Sequence, residues 1–134
     1  MLKSVMDPYP VFCYAITPQT IATTVTVQPT INIANDCDFR ILEIRAVIEK
    51  AASVSGNVLM QMRLSSGEFF SNTGIDIYSF ASMEQDAFSG YPIRLPEPVT
   101  IPANSVIEVS LTNNNGETVT VQVQLWGYKV PRGN

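Results

Sequence analysis

The chain of 134 residues contains no histidine, which removes the commonest general base and metal ligand of proteins. Its serines lie in no Gly-x-Ser-x-Gly sequence, and neither Cys13 nor Cys37 has a histidine to activate it. Hydrolytic triads of the usual kind are therefore excluded. We expect a protein that is not an enzyme and that has no catalytic residue, no metal site and no cofactor.

Charge is also scarce, because only 15% of the residues are charged and eight Lys and Arg stand against twelve Asp and Glu. Without a basic cluster, binding to nucleic acid is not expected, since that affinity depends largely on neutralising phosphates. No apolar run approaches the length of a membrane span, and residues 1–10 lack the apolar core of a signal peptide. We expect no membrane partner, assembly in a cytoplasm, and two buried thiols rather than a disulfide.

What the chain does contain is a regular series of short β-branched runs separated by Pro, Gly and Asn. This spacing is typical of a sandwich or barrel. It predicts an all-β fold, an antiparallel β-sandwich of jelly-roll-like form with at most one short helix. The predicted strands, some of them halves of one bent strand, lie near 11–17, 21–27, 30–34, 39–49, 57–64, 68–72, 75–78, 92–95, 98–101, 105–112 and 118–129. Residues 11–134 form one domain by size, and residues 1–10 are predicted to be an N-terminal arm.

Alternation of apolar and polar residues predicts which side chains face the core. The inward sets are Ile21, Val25 and Val27; Ile107, Val109 and Leu111; and Val119, Val121, Val123 and Leu125. In the first half of the strand 39–49, apolar residues occur on both faces. We therefore expect both faces of that half to be covered by other parts of the protein. The sequence Asn113–Gly116 predicts a hairpin that joins the last two strands. Spacing of apolar residues in 79–88 predicts a short helix.

The aromatic residues near the C-terminus permit two interpretations. Trp126 and Tyr128 have the parity of the polar face of the last strand. Either Gly127 marks a bulge that turns the faces so that Trp126 is buried, or two large aromatics point outward into a partner. The first interpretation is favoured, because a glycine within a strand often marks a bulge. Prolines 92, 96, 98 and 102 predict that the segment around Arg94 is a stiff strip at a sheet edge.

The segment 35–38, Asn-Asp-Cys-Asp, offers the best candidate oxygen ligands for a cation. Asp and Asn in a tight connection more often accept hydrogen bonds from nearby backbone N–H groups, and the calcium-loop spacing is absent. We therefore expect this segment to be a turn rather than a metal site.

Four stretches resemble small virion proteins of tailed bacteriophages. They are Tyr-Pro-Ile-Arg-Leu-Pro from Tyr91, the segment Ile101–Asn113, the terminal strand Val121–Lys129, and Phe39–Ala46 after a threonine-rich strand. The resemblance covers most of the chain from about residue 15. It implies a β-sandwich or jelly-roll unit that sits on the capsid as a decoration or cement protein.

The resemblance implies the major capsid protein as partner, location on the capsid surface, and a homo-oligomer, a trimer before a dimer. Candidates for the partner interface are Tyr9 between Pro8 and Pro10, together with Arg94, Trp126 and Tyr128. Three alternatives stay open: an accessory protein of the phage neck or tail, a β-sandwich module that binds a carbohydrate or a receptor, and, least favoured, a β-sandwich glycosidase.

Overall fold

A computed structural model describes residues 11–50, 56–65, 67, 70–77, 81–83 and 93–131. These residues form two packed β-sheets and contain no α-helix, so the predicted all-β sandwich is confirmed. The jelly-roll connectivity stays a prediction. The strands are β1 (Val11–Ala15), β2 (Gln19–Ile21), β3 (Thr26–Val27), β4 (Thr30–Asn32), β5 (Cys37–Lys50), β6 (Val58–Leu64), β7 (Ile75–Asp76), β8 (Ala81–Met83), β9 (Ile93–Ile101), β10 (Val106–Asn113) and β11 (Val119–Pro131).

The larger sheet has the strand order β1-β11-β5-β8, with β2 also paired to β11 and β9 also paired to β5. The smaller sheet has the order β3-β10-β6-β7, with β4 also paired to β10. All pairs are antiparallel except that of β5 with β8. The proline-rich strand β9 has β5 as its one partner in the described residues, which agrees with the predicted sheet edge.

The core lies between the inner faces of the two sheets. Alternate residues of β10 and β11 are fully buried, as their period of two predicts: Ile107, Val109, Leu111, Val119, Val121, Val123 and Leu125. Strands β5 and β6 add Phe39, Ile48, Met60 and further apolar side chains, and β2, β4 and β9 contribute Ile21, Ile31 and Ile101. This burial of apolar surface is the main force that holds the two sheets together.

Residues 21–27 do not form one strand, and the predicted burial of Val25 is wrong. Ile21 ends β2 in the larger sheet, whereas Thr26 begins β3 in the smaller one. Between them the chain turns a corner in which Thr24 has a positive φ of 64° and Val25 N–H donates to the Ala22 carbonyl. Val25 is 40% exposed, because at this corner the alternation of faces is interrupted.

The predicted hairpin between the last two strands is also wrong, because the connection crosses from one sheet to the other. β10 ends at Asn113 and pairs with β6, while β11 begins at Val119 and pairs with β5. The fully buried Asn113 side chain holds this crossing, since its Nδ2 donates to the carbonyls of Ile21 and Glu117, each at 2.9 Å. Its Oδ1 accepts the N–H of Asn115 at 2.8 Å. A turn that links two layers thus uses the same residue types as a hairpin turn.

The predicted helix over 79–88 is wrong at residues 81–83, which form strand β8 beside β5. The rest of that segment lies outside the described residues, as does the predicted arm at 1–10. Within 68–72, the described residues 70–72 belong to no strand. The part of the chain that is described has no helix long and apolar enough to cross a membrane.

Candidate functional site

The outer face of the larger sheet carries a cavity of about 420 Å³, which we call the outer trough. It extends over strands β1, β11, β5 and β9. Aliphatic, aromatic and charged side chains line it together with one glycine: Val11, Leu42, Glu43, Arg45, Arg94, Leu95, Trp126, Gly127 and Tyr128. A concave site with apolar walls and a few convergent polar groups is the usual form of a binding site.

A β-bulge at Leu42 forms the floor of the outer trough. Ile41 pairs with Gly127 and Glu43 pairs with the adjacent Trp126, so Leu42 is an extra residue in β5. The extra residue changes which side chains of β5 face inward. This explains why both parities of the strand contribute buried residues, namely Phe39, Ile41, Ile44, Ala46 and Ile48. The apolar residues on both faces in the first half of β5 are thus explained by a bulge and not by cover on both sides of the strand.

A second irregularity opens the trough on the side of β9. Arg94 pairs with Glu43 and Val99 pairs with Ile41, so residues 95–98 leave the ladder opposite the bulge. This segment contains two prolines, which cannot donate a ladder hydrogen bond. The widened edge gives Arg94 and Leu95 access to the outer trough.

Trp126 lies on the outer face and is half-buried, so the interpretation that turns it inward is wrong. The bulge is in the neighbouring strand and leaves the alternation of β11 intact. Trp126 Nε1 donates to Gln124 Oε1 at 3.0 Å, and Gln124 Nε2 donates to Gln122 Oε1 at 3.1 Å. The Arg45 guanidinium carbon lies 5.7 Å from the indole centroid, within the range of a cation–π contact. These contacts hold the indole in one orientation.

Glu43 joins two arginines at the wall of the trough. Its Oε2 accepts a hydrogen bond from Arg94 Nη2 at 2.8 Å, and its Oε1 accepts one from Arg45 Nε at 3.1 Å. The hydrogen bond from Arg94, assisted by Arg45, holds the pKa of Glu43 below its ordinary value against the opposing effect of burial. Both oxygens of the carboxylate are therefore occupied, while the Arg94 side chain remains 80% exposed.

Replacement of Glu43 should change how stability depends on pH. A carboxylate with a lowered pKa stabilises the fold above its unfolded pKa, and this contribution is lost as pH falls through the folded-state pKa. We expect wild type to lose more stability than Glu43→Gln between about pH 5 and pH 3. Urea midpoints of the two proteins across this interval measure the difference, which should be modest because solvent reaches the exposed arginine partners of Glu43. Parallel curves would show that Glu43 contributes nothing to acid sensitivity.

The structure brings together three of the residues that the sequence proposes for a partner interface: Arg94, Trp126 and Tyr128. Tyr9, Pro8 and Pro10 lie outside the described residues. Sequence reasoning missed Leu42, Glu43, Arg45 and Leu95, which also line the trough. The loss of alternation in 39–49 was the available signal for the bulge, but only the pairing with β11 locates the extra residue.

The predicted turn at 35–38 is correct only for Asn35 and Asp36, which form a bend, because Cys37 and Asp38 already belong to β5. Asp38 Oδ1 accepts the backbone N–H of Ala103 at 2.8 Å. No group of three or more acidic, cysteine or histidine side chains that could hold a metal ion occurs in the described ranges.

The two thiols, Cys13 and Cys37, are unpaired, as expected, but the predicted burial is wrong, because both are only half-buried. Burial raises the pKa of the Cys13 thiol. The pKa of the Cys37 thiol is also raised, mainly by burial and secondly by the negative charge of Asp36. Both thiols therefore stay protonated near neutral pH, which makes them poor nucleophiles.

A second cavity of about 430 Å³ opens between the sheets beside β9. Its lining is apolar apart from Ser71 and Thr100. It thus lacks the charged groups that converge in the outer trough, which is the stronger candidate for specific recognition.

Comparison with models of known protein families found no match, and comparison with curated proteins found no significant relative.

Proposed function

We propose that this protein is a structural component of a bacteriophage virion that binds the outside of the capsid and stabilises the shell. The observation that carries the proposal is the outer trough, in which Trp126, Tyr128 and Arg94 lie together on the outer face of the larger sheet. These are the residue types most enriched among the side chains that dominate protein–protein binding energy. The phage context comes from the resemblance of the sequence to virion proteins.

The proposed mechanism is thermodynamic and uses no cofactor. A protein that binds the assembled lattice of the major capsid protein, but not its separate subunits, stabilises that lattice by mass action. Prolines at the β9 edge oppose addition of a further strand, which protects a protein displayed in many copies from aggregation. Attachment by a defined trough rather than by a sheet edge fits this role.

Trp126→Ala should abolish capsid binding while leaving the domain folded. Because the indole is only half-buried, we expect a loss of about 1–2 kcal/mol in unfolding free energy, below the roughly 3–5 kcal/mol typical of a buried Trp. Co-sedimentation with mature capsids and thermal melting of the free protein measure the two effects. Phe70→Ala is the matched control, since Phe70 is a half-buried aromatic outside the trough. Capsid binding retained by Trp126→Ala would contradict the proposal.

We also propose that the protein is a homo-oligomer, a trimer before a dimer, because several simultaneous contacts raise the affinity of a small unit for a lattice. Sedimentation equilibrium of the purified chain measures its mass directly. A strict monomer that adds no mass to capsids would contradict both the oligomer and the cement role. The number of copies in purified particles separates a shell protein, with many copies, from an accessory protein in a single neck or tail ring.

A further inference from the structure

We propose that the outer trough recognises a carboxylate that stands beside an apolar side chain on the partner protein. Only one part of this inference rests on the proposed function, namely that the carboxylate belongs to a protein. Recognition of the carboxylate itself can be measured without capsids. It follows from which polar groups of the trough are already paired, from the charge of the lining, and from its apolar walls.

The hydrogen-bonding groups left for a ligand are mainly N–H donors of the arginines, together with the Tyr128 hydroxyl, which can donate and accept. Both oxygens of Glu43 accept from arginines, and Trp126 Nε1 already donates to Gln124. Arg94 uses one nitrogen for Glu43, and a guanidinium has five N–H donors. Its side chain is 80% exposed and that of Arg45 is 50% exposed, so their remaining N–H groups are accessible. Donors thus outnumber acceptors in the trough, which favours an acceptor-only group such as a carboxylate over a neutral sugar, whose hydroxyl groups each also bring a donor.

The charge of the trough favours an anionic acceptor. Two arginines and one glutamate line it, which gives +2 − 1 = +1, whereas the whole chain carries −4. The trough is thus a locally positive surface on an acidic protein. Such a surface directs an acidic group of the partner to this place and repels it elsewhere.

The remaining walls favour a carboxylate with an apolar neighbour over an inorganic anion. Val11, Leu42 and Leu95 present aliphatic surface, and the rings of Trp126 and Tyr128 add aromatic surface. A phosphate or sulfate would leave this surface in contact with water, whereas a side chain of the partner would bury it. A volume of about 420 Å³ is sufficient for one such side chain together with the acidic group.

The first test is titration of the 134-residue chain with 3-phenylpropanoate, which carries a ring and a carboxylate, and with its neutral isostere 3-phenylpropanamide. Trp126 is the single tryptophan of the chain, so its fluorescence reports occupancy of the trough directly. We expect millimolar binding of the carboxylate, about tenfold tighter than that of the amide and weakened by salt. Inorganic phosphate should bind more weakly than the phenylpropanoate.

Matched arginine variants locate the interaction. Arg94→Gln should weaken 3-phenylpropanoate binding by about tenfold and leave amide binding unchanged. Arg63→Gln is the control, because Arg63 also pairs with a glutamate, Glu108, at 2.8 Å, but on the smaller sheet. That control should bind both compounds as wild type does. Thermal melting of each variant verifies that it is folded.

Three results would overturn the inference. Equal binding of the carboxylate and the amide would exclude carboxylate recognition, and tighter binding of phosphate would assign a general anion site. Tighter binding of an acidic sugar such as N-acetylneuraminate would assign a glycan instead of a protein.

A synthetic peptide of residues 4–10, which contains Asp7 and Tyr9, tests whether the partner is a second copy of this chain. If the peptide binds more tightly than phenylpropanoate, the second copy replaces the major capsid protein as the partner. If the protein binds phenylpropanoate but does not bind capsids, the proposed function is rejected and the carboxylate site stands.

Discussion

Val123→Asp is expected to leave the protein unfolded at neutral pH. Val123 is fully buried between the sheets, where it lies opposite Ala46 of β5. In the part of the chain that the structure describes, the buried polar side chains are Asn113 and Asn115, neither of them cationic, so the aspartate would have no partner for its charge. Burial of an unpaired carboxylate costs several kcal/mol, comparable to the whole stability of a domain, which is about 5–15 kcal/mol. Far-ultraviolet circular dichroism and urea unfolding measure the loss.

Two comparisons make this expectation specific. Thr118→Asp introduces the same charge at an exposed position just before β11 and should change stability by less than about 0.5 kcal/mol. Because a buried carboxyl group has a raised pKa, the difference between Val123→Asp and wild type should shrink as pH falls through that pKa. A folded Val123→Asp protein with wild-type stability at neutral pH would show that Val123 does not lie in the core.

Gly127→Ala should be the second most damaging substitution, at about 3 kcal/mol or more. A Cβ at this position would lie 1.9 Å from the carbonyl oxygen of Arg40 and 3.1 Å from the Cα of Ile41. Both are backbone atoms of β5, which cannot move away as the end of a flexible side chain can. The pairing of β11 with β5 must therefore loosen at the bulge. Urea unfolding measures the lost stability, and a reduced pairing should also change the fluorescence of Trp126.

Gly67→Ala separates this steric effect from backbone conformation. Gly67 has a positive φ of 113°, and a Cβ there would meet nothing within 4 Å. Its replacement should cost about 1 kcal/mol, from the conformation alone. A Gly127→Ala protein no less stable than Gly67→Ala would contradict the close approach of Gly127 to the backbone of Arg40 and Ile41.

The strands with clean alternation could be predicted residue by residue. Burial of Val119, Val121 and Val123 follows from the period of two, because one face of a half-buried strand must be apolar. The same reasoning failed at Val25, where the chain leaves one sheet for the other. It also failed to identify the sheet partner of β10, since asparagine and glycine permit a tight turn without specifying which strands the turn joins.

The candidate site could be predicted only in part, for the same reason. Outward presentation of Trp126 and Tyr128 was one of two interpretations of their parity, and β11 alone could not choose between them. The choice depends on where the extra residue of the bulge lies. The extra residue is Leu42, which is more than 80 positions earlier in the chain and is identified only by the pairing of β5 with β11.

The sequence by itself determined that this is an all-β chain without histidine, with alternating strands and a proline-stiffened edge. These properties depend on residue types and on neighbours a few positions apart. The tertiary structure alone decided which sheet each strand joins, how β5 and β9 leave their ladders, and that Glu43, Arg45, Arg94 and Trp126 meet in one trough. Those features depend on pairing between strands distant in sequence, and a bulge exists only relative to the strand it faces.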